Sequence, residues 1–364
     1  METESLTSVH GDIAEGTLLS VDQELPIADG VIIQFLMQRV PEFRKLQELR
    51  KQGWNNPQGD QYFRQQRDRA DKANARTARF FYNMMQRIGQ EVHSAVGAFA
   101  IQDSNLSRPM VLDMCAAPGG FLHTALELNP KAQAVAFSLP VESGGHKILI
   151  PNSKRFQLKF LDITMLAADM GLVDVPVEHP DHSSFLPQQL KPGDLFDLVI
   201  CDGQVLRTHA RKQYRENREA YRLTVTQLCL GLEHARPGST MIVLLHKLEA
   251  WDTVLLLNTF REFATVGLFK PKTSHAKRSS FYMIARNIQS QGPAAAHAIA
   301  KWKSIWKAAT CETNEEFVKV LRGGEPSVKE VLDEFGLELI VLGKDVWATQ
   351  VRALEKAPFI KQRS

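Results

Sequence analysis

The sequence predicts an α/β fold in which a mainly parallel, seven-stranded sheet carries helices on both faces. Short apolar runs alternate with helical stretches between Pro109 and Asn287, which is typical of such a sheet. A glycine-rich turn directly follows the first run, at a strand end where open parallel sheets bind ligands. The last two runs, TVGLF and FYMIARN, are joined without a helix, which predicts an antiparallel hairpin at the sheet edge.

Each of the seven predicted strands is a short apolar run. In chain order they read PMVLDMC, AVAFSL, FQLKFLD, FDLVICD, TMIVLLH, TVGLF and FYMIARN. The stretches GFLHTALEL, Gln213 to His234 and Trp251 to Ala264 have the periodicity of helices that connect strands. The segment from Gly171 to Pro192, with several proline and histidine residues, predicts an insertion loop before the fourth strand.

Helical segments flank the predicted sheet domain. We expect a partly helical N-terminal lead at residues 1–75, the sheet domain at 76–290 and a C-terminal helical extension at 291–364. The stretch RQQRDRADKANARTARFFYNMMQRIGQEV predicts one charged helix with an apolar stripe. That stripe consists of Phe80, Phe81, Met84, Met85 and Ile88.

The C-terminal extension contains apolar positions at helical spacing. The runs WKSIWKAAT, NEEFVKVLRGG, SVKEVLDEFG and KDVWATQVRAL each predict a helix. Trp302, Ile305 and Trp306 share one helix face. We expect this face to pack against the main domain rather than to bind a partner.

Composition sets broad limits on the class of protein. The chain is 44% hydrophobic and 23% charged, which is ordinary for a globular protein. Its apolar runs are shorter than the roughly 20 residues of a membrane helix, so no membrane partner is expected. The start METESLTSVHGDIAEG lacks the pattern of a signal peptide. We therefore expect a cytoplasmic or nuclear protein.

Cysteine spacing and net charge say little about partners. Cys115, Cys201, Cys229 and Cys311 are far apart and form no CxxC pair, so neither a metal site nor a disulfide framework is expected. A net charge of +3 permits an anionic partner without requiring one. Protein partners are not indicated by any pattern.

The turn after the first strand, DMCAAPGGF, has the features of a ligand-binding loop. Small residues such as Gly119 let the backbone turn tightly and approach a ligand. The helix that starts near Gly120 would direct its free amides toward a ligand carboxylate. Asp113, at the strand end, could accept a hydrogen bond from a ligand ammonium group.

DMCAAPGGF closely resembles the first motif of the FtsJ family of methyltransferases. The resemblance continues from about Arg76 to Asn287 through RFFYNMMQRIG, LKFLDIT, FDLVICDG, PGSTMIVLLH and FKPKTSHAKRSSFYMIA. It implies a Rossmann-like class I methyltransferase fold, S-adenosylmethionine as the cofactor, and methyl transfer to a hydroxyl, the ribose 2′-oxygen of RNA in this family. The RSSFY ending and the substitutions described below are similar to divergent FtsJ-like proteins of filamentous fungi.

The resemblance also implies a set of cofactor contacts at the strand ends. Asp162 ends the third strand, where the family places an acid near the adenine amino group. After the second strand, Ser138 and Leu139 stand where an acid commonly binds the ribose hydroxyls, and Ser138 or Glu142 could substitute. The predicted cofactor-binding residues are Asp113, Cys115, Ala116, Ala117, Pro118, Gly119, Gly120, Phe121, Ser138, Leu139, Asp162, Ile163 and Asp202.

The catalytic residues depart from the family pattern. FtsJ-like ribose methyltransferases use a Lys, Asp, Lys, Glu set, of which only Asp202 matches in this chain. The other three positions carry Asn83, Leu244 and Ser280. Loss of the second lysine removes an ammonium that would stabilise the alkoxide forming from a poorly nucleophilic hydroxyl.

Two residues after Leu244 are candidates to replace the missing lysine. His246 has the strand parity to share the face of Leu244 and could act as a general base or as a satisfied polar residue. Lys247 points to the opposite face unless the strand has already ended. We predict Asp202, His246 and Lys247 as the catalytic residues.

Basic side chains flank the predicted cleft and suit either an RNA backbone or plain solvation. They are Lys270, Lys272, His275, Lys277, Arg278, Arg207, Arg211, Lys212 and Arg215. The predicted substrate-binding residues are Asn83, Lys272, Lys277 and Arg278. Three functions stay open: an RNA 2′-O-methyltransferase, a methyltransferase of small molecules such as secondary metabolites, and a cofactor-binding or RNA-binding protein without transfer activity.

Overall fold

A computed structural model describes residues 24–71, 74–101 and 108–360. The helices in these ranges are α1 (Glu24–Arg39), α2 (Pro41–Trp54), α3 (Pro57–Asp71), α4 (Ala75–Val96), α5 (Gly120–Leu128), α6 (Glu219–Glu233), α7 (Trp251–Arg261), α8 (Pro293–Cys311), α9 (Asn314–Arg322) and α10 (Val328–Glu355). The strands are β1 (Met110–Asp113), β2 (Gln133–Ser138), β3 (Phe156–Phe160), β4 (Phe196–Cys201), β5 (Ala235–Leu245), β6 (Thr265–Phe269) and β7 (Phe281–Arg286).

The strands form one seven-stranded sheet in the order β3-β2-β1-β4-β5-β7-β6. β1 to β5 are parallel, and β7 runs antiparallel to both β5 and β6. The predicted fold is therefore confirmed, with β7 inserted between β5 and the edge strand β6. Because the chain order switches between β1 and β4, a ligand crevice is expected at their carboxyl ends.

Helices cover both faces of the sheet because alternate strand residues point to opposite sides. On β4, Leu198 and Ile200 pack with α4 and α5 in one apolar cluster. Val199 and Cys201 belong to the larger cluster formed with α6, α7 and α8. All six β4 residues are buried, as is usual for the centre of a parallel sheet.

The stretch predicted as one charged helix is two helices, so that prediction is wrong. α3 ends at Asp71, and α4 begins after Asn74, whose side chain accepts a hydrogen bond from the Thr77 amide at 2.9 Å. An asparagine N-cap of this kind starts a helix rather than continuing one. In the predicted stripe, Met84 and Ile88 are buried, whereas Phe80 is 39% exposed.

The C-terminal helices pack on the main domain. Trp302, Ile305 and Trp306 are buried, as expected, and the Trp306 indole donates to the Thr164 carbonyl oxygen at 3.2 Å. The last two predicted helices are the single helix α10, which begins at a capping box formed by Ser327 and Glu330. The division of the chain near residues 75 and 290 stays a prediction.

The N-terminal helices contact the C-terminal extension. Phe43 of α2 and Trp347 of α10 meet edge to face, with ring centroids 5.4 Å apart. Arg50 of α2 pairs with Glu249 and also donates to Gln350 of α10 at 3.1 Å. None of the helices in the described ranges has the length and apolar character needed to cross a membrane.

Candidate active site

The glycine-rich turn lies between β1 and α5 and packs against α4. Gly119 has a left-handed backbone (φ +107°), and α5 begins at the next residue. A Cβ built on Gly120 would lie 2.5 Å from Met85 Cβ and 2.6 Å from the Tyr82 carbonyl oxygen. Glycine at position 120 therefore lets α4 and the turn approach closely, while glycine at 119 allows the backbone to adopt its turn.

Two carboxyl groups are buried at the carboxyl ends of β1 and β4. Burial raises the pKa of Asp113 to about 7, against one opposing hydrogen bond from the Cys115 amide at 3.2 Å. Burial and then repulsion from Asp113 raise the pKa of Asp202 well above its usual value, although the Tyr282 hydroxyl donates to it. Within the described ranges, neither carboxyl pairs with a basic side chain. A cationic ligand would supply the positive charge that could stabilise the ionised form of these two carboxyl groups.

Two buried polar atoms at the carboxyl ends of β2 and β4 have no partner in the described ranges. Among the described residues, Asp202 Oδ1 and Ser138 Oγ are buried and have no hydrogen-bond partner. Buried polar atoms are normally paired, so these atoms indicate a polar ligand. Ser138 ends β2, whereas Glu142, the other candidate for the ribose contact, is exposed in the turn that follows.

The cavity around the turn is small. Its volume is about 10 Å³, about enough for a single water molecule, whereas pockets for small molecules typically measure about 300–1,000 Å³. Nine residues line it, and all but one were predicted as cofactor contacts. They are Met85, Asp113, Cys115, Ala116, Ala117, Pro118, Gly120, Phe121 and Asp202. The structure thus brings these predicted residues together, while the other five predicted residues lie outside the cavity lining: Gly119, Ser138, Leu139, Asp162 and Ile163.

Asp162, predicted near the adenine amino group, already has a full set of partners. Its Oδ1 accepts hydrogen bonds from the Thr164 amide at 3.0 Å and the Thr164 hydroxyl at 2.7 Å. Its Oδ2 lies 3.3 Å from Arg215 Nη2 and 3.2 Å from His209 Nε2. Burial alone would raise the pKa of Asp162, but these partners hold it well below its usual value. A carboxylate accepts about four hydrogen bonds, so no acceptor position is left.

Glu219 extends this cluster toward the core. Ligand atoms of Asp162, His209 and Glu219 lie within 4.8 Å of one another, which is compatible with a metal ion. However, Arg215 lies 3.8 Å from Glu219, and Arg222 lies 3.0 Å from it. The two guanidinium groups already neutralise these carboxylates, so the arrangement fits a buried ion-pair network better than a metal centre.

The positions that differ from the catalytic set carry no charged group. Leu244 pairs with Tyr282 across β5 and β7 and packs against the apolar cluster on the α5 side. Asn83 is exposed on α4, and the buried Ser280 accepts a hydrogen bond from Lys270 through its carbonyl. The Asp202 environment is therefore formed by Tyr282 and apolar side chains instead of a lysine.

His246 lies just beyond the end of β5, which stops at Leu245. Its Nε2 is 2.5 Å from the Gln204 side-chain nitrogen, and its Nδ1 is buried without a partner among the described residues. Burial, followed by the charges of Arg278 and Lys270, lowers the His246 pKa to about 4. The imidazole is therefore neutral at pH 7, and because the Gln204 amide nitrogen can only donate, Nε2 accepts this hydrogen bond and the ring proton lies on Nδ1.

Lys247 also lies beyond the strand, so the parity argument against it does not apply. Its backbone is left-handed (φ 45°), and its side chain is partly buried. Three positive charges lower the pKa of His246, and that of Lys247 has the smallest effect of the three. Lys247 is therefore near His246, but no hydrogen bond links it to Asp202 in the described structure.

The loop between β6 and β7 places the predicted basic residues differently. Lys270 is buried, and its ammonium donates to the carbonyls of Arg278 at 2.6 Å and Ser280 at 2.7 Å, so it organises the loop. Lys272 is exposed, and the Lys277 ammonium lies 5.4 Å from the ring centroid of Tyr62 on α3. The structure thus brings Arg278 near His246 and leaves Lys272 at the surface.

Several site residues were missed by sequence reasoning. Tyr282 could have been found from the pairing of β5 with β7, which sets it opposite Leu244. Gln204, on the loop after β4, gives no sequence signal for its contact with His246. His209 is separated from Asp162 by 47 positions in the chain, and no local pattern indicates that they meet.

The strand order and the glycine-rich turn after β1 define a Rossmann-like class I methyltransferase fold. Residues 90–288 match the family described as FtsJ-like methyltransferase. This match covers more than half of the chain, and the chain belongs to that family. No curated protein matches the sequence.

The solved structures to which the chain is similar are distant in sequence. An O-methyltransferase family protein from Burkholderia thailandensis is 13% identical, with 60% of this chain and 62% of that chain covered and a TM-score of 0.33. The chain thus spans about three fifths of that protein. The N-methyltransferase NodS from Bradyrhizobium japonicum, in complex with S-adenosyl-L-homocysteine, is 14% identical (61% and 97% covered, TM-score 0.35). An rRNA methylase from Streptococcus thermophilus is 13% identical (54% and 96%, TM-score 0.31).

Proposed function

We propose that this chain is an S-adenosylmethionine-dependent methyltransferase that acts on a hydroxyl group of RNA. The observation that carries the cofactor assignment is the pair of buried carboxyls, Asp113 and Asp202, without a basic partner in the described residues. When bound, S-adenosylmethionine supplies a methyl group on a positively charged sulfur, together with an ammonium group. A ligand with these charges suits two buried acids better than water does.

The residues around the turn would hold the cofactor by its polar ends. The free amides at the start of α5, next to Gly119, suit the ligand carboxylate. Asp113 suits the ammonium, and the unpaired Ser138 hydroxyl suits a ribose hydroxyl. The turn and the unpaired polar atoms fit the methionine and ribose parts of the cofactor, whereas the adenine side is closed by the partners of Asp162.

Asp202 and His246 are the residues we assign to the acceptor. Tyr282 fixes one side of the Asp202 carboxyl, and the free Oδ1 can hold the acceptor hydroxyl in line with the methyl group. Neutral His246 carries its proton on the buried Nδ1, which has no described partner and can donate a hydrogen bond to the acceptor oxygen, while the Asp202 carboxylate can take the hydroxyl proton. This pair would replace the lysine that is absent at Leu244.

RNA is supported by the family and by basic side chains around the crevice. Arg278 lies near His246, and Lys272 is exposed on the same loop. Phosphate groups are attracted to such side chains in a salt-dependent way. An RNA acceptor also agrees with the cytoplasmic or nuclear location expected from the sequence.

A small hydroxylated molecule is the second candidate acceptor, favoured by the position of α3. Tyr62 of α3 lies against Lys277 of the loop after β6, and Asp71 pairs with Arg207 of the loop after β4. The nine residue steps from Tyr62 to Asp71 span about 14 Å of helix, close to three strand spacings of about 4.8 Å. α3 therefore bridges the loop after β4 and the loop between β6 and β7, on the β5 side of the crevice, which restricts the space for a polymer there.

A labelled methyl-transfer assay with total RNA and a metabolite extract tests the proposal. We expect label in RNA, with transfer at low RNA concentration falling steeply as salt rises from about 50 to 200 mM because phosphate contacts weaken. Label found in small molecules alone would favour the second candidate. Cofactor binding without any label would favour a binding protein that lacks transfer activity.

The affinity for S-adenosylmethionine is expected to rise with pH between about 5.5 and 7.5. Asp113 has a raised pKa of about 7, so it is neutral below that pH and ionises as the pH increases. The ionised carboxylate pairs with the ligand ammonium, and affinity can rise by up to about tenfold per pH unit below the pKa. Calorimetric titrations across this range measure the slope.

The matched variant for this prediction is Asp113→Asn, which keeps the shape of the side chain and cannot ionise. We expect it to bind more weakly above pH 7 and to have lost most of the slope. An identical pH profile in the variant would show that another group controls the affinity.

A further inference from the structure

Two loops cover the proposed cofactor crevice. The loop after β2, residues 139–155, is here called the β2–β3 loop, and residues 202–212 after β4 form the β4–α6 loop. The β2–β3 loop rests on the glycine-rich turn, where the Leu149 amide donates to the Pro118 carbonyl oxygen at 2.9 Å. Ile150 Cβ lies 3.1 Å from the position of a Cβ built on Gly119. The turn is therefore covered by the chain itself.

The β4–α6 loop in turn packs on the β2–β3 loop. The Thr208 hydroxyl donates to the Gly144 carbonyl oxygen at 2.9 Å, and the Ala210 amide donates to the Ser143 carbonyl oxygen at 3.3 Å. A Cβ built on Gly144 would lie 2.0 Å from the Thr208 carbonyl oxygen, so the two backbones are in direct contact. The cavity at the glycine-rich turn has a volume of only about 10 Å³.

His209 lies between these two contacts and points inward. Its side chain is nearly buried, and its Nε2 lies 3.2 Å from Asp162 Oδ2, while its Nδ1 lies 3.7 Å from Glu219. Thr164 and Arg215 hold Asp162 from elements outside the β4–α6 loop. His209 is therefore the partner of Asp162 that would leave if this loop moved.

We propose that His209 closes the cofactor crevice in the ligand-free protein, and that its release from Asp162 opens the site for the adenine end of S-adenosylmethionine. The proposal rests on the proposed function. Opening frees one acceptor position on Asp162 for the adenine amino group, while Arg215 and Thr164 keep the carboxylate in place. The His209 contact thus competes with the cofactor and lowers its apparent affinity.

The test compares His209→Ala with the wild-type protein by calorimetric titration with S-adenosylmethionine. His209→Ala removes a hydrogen bond to Asp162 that exists only in the closed state, so the open state becomes more populated. We therefore expect the dissociation constant of S-adenosylmethionine to fall about tenfold or more. Amide hydrogen exchange at residues 204–211 is expected to be faster in the ligand-free variant than in the ligand-free wild type. This exchange reports loop opening without any methyl acceptor.

Two further variants serve as controls. Arg207→Ala lies on the same loop and removes a partly exposed ion pair with Asp71, so we expect no change in cofactor affinity. His209→Gln keeps a side-chain donor and should retain much of the wild-type affinity. Denaturant unfolding of each variant shows that the chain is folded in the titration.

The outcomes separate this proposal from the proposed function. If the wild type binds S-adenosylmethionine and His209→Ala binds equally or more weakly, the closing role of His209 is wrong while the proposed function stands. If neither binds, the proposed function fails and the closing role fails with it. If the variant binds tightly and the wild type binds weakly or not at all, both are supported.

Discussion

The Asp202→Asn variant is expected to transfer methyl groups about 10²–10⁴ times more slowly than the wild type. Asparagine keeps the shape of the side chain beside Tyr282, but it cannot take the proton of an acceptor hydroxyl as the carboxylate can. Initial rates with labelled cofactor and RNA measure the loss. A parallel calorimetric titration separates a weaker affinity for the cofactor from a slower transfer.

Tyr282→Phe is the matched control for Asp202→Asn. It removes the hydroxyl that donates to Asp202 and keeps the ring, which packs against Phe121 with centroids 5.6 Å apart. We expect a smaller rate loss than in Asp202→Asn because the carboxyl group remains. An unchanged turnover in Asp202→Asn would show that the catalytic centre does not lie at the end of β4.

Replacing Arg222 with alanine is expected to lower the free energy of unfolding by about 3–5 kcal/mol. Arg222 is fully buried on α6, and Nη1 binds Glu219 at 3.0 Å while Nη2 donates to the Thr164 carbonyl at 2.8 Å. Its Nε donates to the Thr310 hydroxyl of α8 at 3.1 Å. The substitution leaves Glu219 with less compensating charge in the core. Urea unfolding followed by circular dichroism measures the change.

Lys303→Ala is the control for Arg222→Ala. Lys303 of α8 pairs with Glu233 of α6 at 2.8 Å, but both side chains are partly exposed. Such surface pairs contribute about 0–1 kcal/mol, so we expect a small effect. Similar losses in the two variants would contradict the role of Arg222 as the charged link between α6, α8 and the turn after β3.

The sheet could be predicted because its strands are short buried runs with clear boundaries. β4 is apolar apart from one acid, and DMCAAPGGF marks the end of β1 and the start of α5. The break between α3 and α4 was missed although Asn74 is a strong helix-capping residue, because the charged pattern continues on both sides of it. Local sequence patterns therefore predicted the presence of helices and strands more reliably than the residues at which they begin and end.

Site residues that lie in one continuous motif were predicted from the sequence. Contacts between residues far apart in the chain were missed. The residues from Asp113 to Phe121 come from one continuous motif, and seven of these nine line one cavity. The partners of Asp162 are Arg215 and His209, and Arg215 is 53 positions away. No periodicity connects such positions, because buried ion pairs depend on how loops pack after the sheet has formed.

The catalytic assignment also depended on a strand end that no periodicity could fix. β5 ends at Leu245, so strand parity decides the orientation of Leu244 but not that of His246 or Lys247. The contact of His246 with Gln204 is set by two loops that meet at the carboxyl edge of the sheet. Element ends are where sequence patterns are least informative.

A calorimetric titration of S-adenosylmethionine into the wild type and the Gly119→Val variant tests the central claim most directly. Gly119 has φ +107°, which a β-branched side chain rarely adopts, and a Cβ there would press on Ile150. We predict saturable binding to the wild type and no detectable binding to a variant that circular dichroism shows to be folded. Absence of binding to the wild type, or equal affinity in a folded Gly119→Val variant, would contradict the assignment of the cofactor site.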